Sequence, residues 1–82
     1  MTRRETAIAV LQNGGFIKQQ LETGWQGWCR YAIRLYDQQY CVVKGVGPAT
    51  LYQIIKELHL REHKTWFSES CTTRWELPTI TD

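Results

Sequence analysis

The chain has 82 residues, of which 43% are hydrophobic and 22% charged, and a net charge of +2. That is room for one domain, too apolar for intrinsic disorder, and too evenly balanced in charge to point to a polyanion by composition alone. A domain of this size buries about 60% of its unfolded surface, which leaves little volume for a deep substrate cavity and weighs against an enzyme.

Thr2-Arg3-Arg4-Glu5 has the form of a capping box, and Ala7, Ile8, Val10 and Leu11 give an apolar stripe. A first helix is expected over about residues 3–13, ended by Asn13-Gly14-Gly15. Its apolar stretch is shorter than the core of a secretion leader, and no apolar run approaches the roughly 20 residues of a membrane span. "FIKQQLE" (16–22) reads as a strand, followed by a Gly-Trp loop that carries Trp25 and Trp28. "WCRYAIRLY" (28–36) alternates and is rich in aromatic and branched residues, the best strand signal in the chain. Asp37-Gln38-Gln39 turns it, and "YCVVKG" (40–45) is expected to return as an antiparallel third strand.

Gly47-Pro48 opens a second helix, with proline in the first turn. Leu51, Ile54, Ile55 and Leu58 give the cleanest amphipathic pattern present, fading near His59–Arg61. "HKTWFSES" and "CTTRWEL" read as a last hairpin around Glu69-Ser70, and 78–82 as a loose tail on a single domain of residues 1–77. The order is α-β-β-β-α-β-β: a two-layer α+β domain, with about five mostly antiparallel strands and both helices packed on one face. Helix-hairpin occurs twice in this order, a faint echo of an internal repeat.

Residues two apart in a strand share a face. With a three-residue turn at 37–39, Cys29, Tyr31, Ile33, Leu35, Cys41 and Val43 turn towards the helices. Arg30, Arg34, Tyr36, Tyr40, Val42 and Lys44 then turn towards water. A two-residue turn would bury Lys44 and Tyr40, at a cost in free energy. The outward set alternates cations with rings, a pattern suited to carboxylate or phosphate. Trp25, centred between two glycines, is expected as an exposed anchor. Trp28 is expected as a core plug at the start of its strand, and Trp75 as core.

Other chemistry is weakly supported. His59 and His63 are four apart, ligand spacing if the helix continues, with Cys71 as a conceivable third ligand; no fourth is evident, and no metal or cofactor is expected. No nucleophile-base pair and no carboxylate pair stand out, so catalysis is not expected. "KGVGPAT" (44–50) reads as a strand-to-helix joint next to Lys44, since a lone Gly-x-Gly lacks the rest of a dinucleotide fingerprint. Three cysteines, an odd and sparse set, suggest a reducing compartment, hence the cytoplasm.

The order α-β-β-β-α over about residues 3–60 is similar to that of double-stranded RNA-binding domains. The lysine cluster that such domains carry at the start of their second helix is missing, because Pro48-Ala49-Thr50-Leu51-Tyr52 has no basic residue. "ATLYQIIKELHL" with its following hairpin also resembles a recognition helix and wing, without the additional helix of that family.

The sequence therefore predicts a small non-enzymatic binding protein, a regulator or inhibitor in the style of phage and mobile-element accessory proteins. Its contact residues are Arg30, Arg34, Tyr36, Tyr40, Lys44 and Trp25. The partner is expected to be an acidic or nucleic-acid-binding protein. The alternatives are direct binding of DNA or RNA through the same face, or self-association into a homodimer through an edge strand. No membrane contact is expected.

Overall fold

A computed structural model describes residues 2–67 and 70–78. The elements are α1 (Arg3–Gln12), β1 (Phe16–Thr23), a single 3-10 turn (Trp25–Gly27), β2 (Cys29–Tyr36), α2 (Pro48–Leu58), β3 (Arg61–Phe67) and β4 (Ser70–Glu76). They form an α+β domain with two helices on one face of a four-stranded antiparallel sheet, in the order β2-β1-β4-β3.

Local chemistry accounts for the helices. Thr2 Oγ1 accepts from the Glu5 backbone N–H at 3.1 Å, satisfying one of the free donors of the first turn of α1. Ala7 and Leu11, four apart, are the residues α1 buries. In α2, Pro48 occupies the first turn, and Leu51 and Ile54 are fully buried while Ile55 and Leu58 pack at the margin. His59 takes a left-handed φ of 50° and stops the helix, so Leu60 turns back into the core. An Arg4–Glu57 ion pair ties the two helices together at the surface.

Alternation decides the sheet. Ile17 and Trp75 are paired on the two central strands and lie in the core with Leu35 of β2. Their strand neighbours one residue away must face the opposite side. β1 pairs with β2 along eight residues, from Phe16↔Tyr36 to Thr23↔Cys29, and β3 with β4 along seven.

The expected third strand at 40–45 does not form. Only a single bridge, Tyr36↔Val42, survives, along with a Val43 N–H to Leu35 C=O bond of 2.8 Å. Asp37 explains this. Its carboxylate accepts from the backbone of both Gln39 and Cys41 at 2.9 Å, and Tyr40 takes a φ of 64°. The chain is thus curled into a five-residue loop instead of a three-residue turn. Val43 and Val46 then drop onto the core on the way to α2. The partner of β2 is β1, not 40–45, which also removes the α-β-β-β-α order shared with double-stranded RNA-binding domains. Of the two candidates for an exposed edge, the last hairpin or strand one, strand one is central, and the edges are β2 and β3, the latter in the last hairpin.

The α-β-β order does occur twice, and the sheet sets the two hairpins side by side in the same sense, second strand then first. β1, first of its hairpin, pairs with β4, second of the other. The turn expected around Glu69-Ser70 and most of the expected tail fall outside the described residues. No helix among the described residues is long and apolar enough to cross a membrane.

Candidate functional site

Among the described residues no helix covers the face of the sheet opposite α1 and α2. Three of its strands carry Phe16, Lys18, Gln20 and Glu22 (β1), Arg30, Ala32, Arg34 and Tyr36 (β2), and Ser70, Thr72, Arg74 and Glu76 (β4). β3 adds Arg61, His63 and Thr65. Lys18, Arg30, Arg34, Arg61 and Arg74 therefore stand against only Glu22 and Glu76. The charge is concentrated here in a chain that is nearly neutral as a whole.

The register lines up part of this charge. Arg34 lies opposite Lys18, Lys18 opposite Arg74, and Arg74 opposite His63. The four positions make one transverse row across all four strands. Strands spaced about 4.8 Å apart give a row roughly 14 Å long. Like charges directly opposite one another destabilise a sheet, and the flanking carboxylates offset this only in part. Arg34 pairs with Glu22, while Arg74 and His63 share Glu76 at 3.3 Å each. Among the described residues no carboxylate pairs with Lys18 at the centre of the row, or with Arg30.

Rings flank the row. Phe16 is on the open face yet almost fully buried, stacked on Tyr36 at 5.2 Å and met edge-on by Tyr40 at 5.3 Å. The Arg74 guanidinium lies 3.9 Å over its ring, and Lys18 Nζ is 6.0 Å from the Tyr36 ring. Phe16 is thus the floor of a small aromatic cluster that fixes two cations of the row. Beside it is a groove of about 310 Å³ lined by Phe16, Lys18, Tyr40, Thr65, Thr72 and Arg74. A depression of about 380 Å³ between α1 and the 37–39 turn has Asn13 and Asp37 on its wall and no cation.

Among the residues singled out from the sequence, Arg30, Arg34, Tyr36 and Tyr40 share this face or its border. Tyr40 arrives from the loop instead of a strand. Trp25 is 81% exposed at the tip of the β1–β2 hairpin, as expected, but stands off from the row by more than the roughly 17 Å from Lys18 to Thr23 along an extended strand. Lys44 is exposed in the turn at 44–45, outside the sheet.

Trp28 is not the expected core plug. Its ring is half-exposed, lies across Gly24 and carries the Arg30 guanidinium at 5.2 Å. Cys29 and Tyr31 have the helix-side parity expected of them but are exposed, Tyr31 lining a shallow depression with Pro48 and Tyr52 of α2. Cys41 is exposed too, the loop having replaced its strand. Trp75 is core.

His59 ends α2 while His63 is on the open face of β3, so the four-residue spacing is not helical. Cys71 shares the helix-side parity of Trp75. Among the described residues no group of histidine, cysteine and carboxylate side chains is placed to hold a metal.

Sequence reading missed Phe16, Lys18, His63 and Arg74. Their signal was present: Phe16 and Lys18 alternate with Ile17 and Gln19, and Arg74 lies between Thr73 and Trp75. What parity cannot give is which strands are neighbours, and the row exists only because β1 and β4 pair. No protein-family model, no characterised protein and no solved structure matches the chain. The functional reading therefore rests on the geometry of this face.

Proposed function

We propose that the protein is a non-enzymatic nucleic-acid-binding module, with the open sheet face as its contact surface. The observation that carries this reading is the transverse row Arg34–Lys18–Arg74–His63. An acidic protein partner offers scattered carboxylates on a surface of its own shape. A phosphate backbone offers a line of repeated anions, which three cations in a line, Arg34, Lys18 and Arg74, extended by the His63 imidazole, can meet. The row carries a cost in like-charge repulsion, and among the described residues its central lysine has no carboxylate to satisfy it. Arginines placed over rings, Arg74 on Phe16 at 3.9 Å and Arg30 on Trp28 at 5.2 Å, are the side chains suited to fork onto phosphate or base edges.

Fluorescence anisotropy of labelled single- and double-stranded DNA and RNA over a salt series tests the reading. Binding should weaken as salt rises, with a log–log slope of about −2 to −4, as expected for three or four phosphate contacts. The Arg30→Ala/Arg34→Ala double variant should fold normally, bind more weakly and show a slope shallower by about 1–2. Failure to bind any nucleic acid at low salt removes the reading.

A further inference from the structure

Among the features of the open face, the groove beside Phe16 differs from the rest of the row, because it combines three kinds of chemistry in one place. Lys18 and Arg74 supply two cations on adjacent central strands. Thr65 and Thr72, directly opposite each other on β3 and β4, line it with hydroxyl-bearing side chains. Tyr40 stands at its border, 69% exposed although it touches Phe16.

Two further observations show that this arrangement is held in place. Tyr40 is a non-glycine residue at φ 64°, a conformation that costs roughly 1–3 kcal/mol and persists only when its surroundings impose it. Here they do: the Asp37 C=O accepts from the Tyr40 N–H at 3.0 Å, and the Asp37 carboxylate fixes the residues on either side. The Arg74 guanidinium is held over the Phe16 ring at 3.9 Å and by the Glu76 carboxylate at 3.3 Å, while its Nε is buried without a hydrogen-bond partner among the described residues.

We propose that this groove takes one unpaired nucleotide, with its phosphate on Lys18 and Arg74 and its base against the exposed Tyr40 ring. The inference rests on the reading of the open face as a nucleic-acid surface and adds the form of nucleic acid preferred. Stacking on an aromatic side chain requires a free base face, which a base inside a duplex does not present. The volume fits the purpose, since about 310 Å³ is at the small end of ligand sites. The hydroxyls of Thr65 and Thr72 serve base or sugar edges. The transverse row alone would treat paired and unpaired backbones alike, so the groove is what separates them.

The test compares a blunt DNA duplex with the same duplex carrying an unpaired nucleotide, by anisotropy with the full chain. The wild type should bind the second at least about fivefold more tightly, the lower end of what one stacked base contributes. Tyr40→Ala should abolish that preference, read as the ratio of the two affinities, whatever it does to blunt-duplex binding itself. Tyr40→Phe, which keeps the ring, should retain the preference. Equal binding of the two duplexes by the wild type, or a preference that survives Tyr40→Ala, overturns the inference while leaving the row as a nucleic-acid surface. Failure to bind these duplexes or any single-stranded DNA or RNA at low salt overturns both.

Discussion

Gly15 and Gly24 show how unequal two glycines are. A Cβ on Gly15 would lie 2.6 Å from the Tyr36 carbonyl oxygen and 2.7 Å from that of Val10, so backbone would have to move. A Cβ on Gly24 would meet only the Trp28 ring, at 1.9 Å, and that ring can swing away. Gly15→Ala is therefore expected to destabilise by about 3 kcal/mol or more, and Gly24→Ala by about 1 kcal/mol, in urea unfolding. Gly24→Ala should also release the Arg30 guanidinium from Trp28. Neither effect is legible from sequence. Gly24 and Gly27 bracket Trp25 in the chain and look equivalent there, yet nothing crowds Gly27, whose positive φ is its own reason for being glycine. The part that sequence did show at this scale is the outward placement of Arg30 and Arg34, because alternation in 28–36 needs no knowledge of neighbours.

The loop between β2 and α2 is the element that sequence pattern misassigned. "YCVVKG" has strand composition, but propensity was overridden by a side chain. Asp37 offers its carboxylate to two backbone donors, and the chain closes on it before a ladder can begin. Asp37→Ala removes that closure. The fold should survive, because the core of Ile17, Leu35, Leu51 and Ile54 lies elsewhere. Stability is expected to fall by about 1 kcal/mol, a drop of about 4–8 °C in Tm for a domain of this size. Retention of the wild-type Tm would show that the Asp37 bonds contribute nothing to holding Tyr40. α2, by contrast, was legible almost to the residue. Its apolar spacing and its opening proline are local signals, and the left-handed His59 that ends it lies where the pattern fades. Leu51→Ala or Ile54→Ala should cost 2–5 kcal/mol, roughly the range for fully buried aliphatic residues. The last hairpin was legible for the same reason, whereas its pairing with β1 was not, because no local pattern encodes which strands meet.

At the scale of the whole molecule, the placement of charge sets stability against binding. Ten basic and eight acidic residues leave a chain near neutrality, yet half of the basic ones share the open face with only two carboxylates. Lys18 is the sharpest case, flanked by Arg34 on one side and Arg74 on the other. Its approach to the Tyr36 ring and the carboxylates on its two neighbours, Glu22 on Arg34 and Glu76 on Arg74, offset part of the repulsion. Lys18→Gln removes the charge and keeps a polar, unbranched side chain one atom shorter. It is expected to raise unfolding free energy by about 0.5 kcal/mol, the scale of a relieved cross-strand like-charge pair, and to weaken nucleic-acid binding at the same time. Salt should act in the same two directions on the wild type, since screening relaxes the row and also competes for phosphate. A stability that rises modestly with salt in the wild type, and rises less in Lys18→Gln, would identify the row as the source of the repulsion. A residue placed for packing would behave in the opposite way, losing stability on substitution and leaving binding untouched. Urea unfolding and anisotropy on the same two proteins distinguish the cases: if Lys18→Gln is destabilised and binds as well as wild type, the row is a solvated sheet face and not a contact surface.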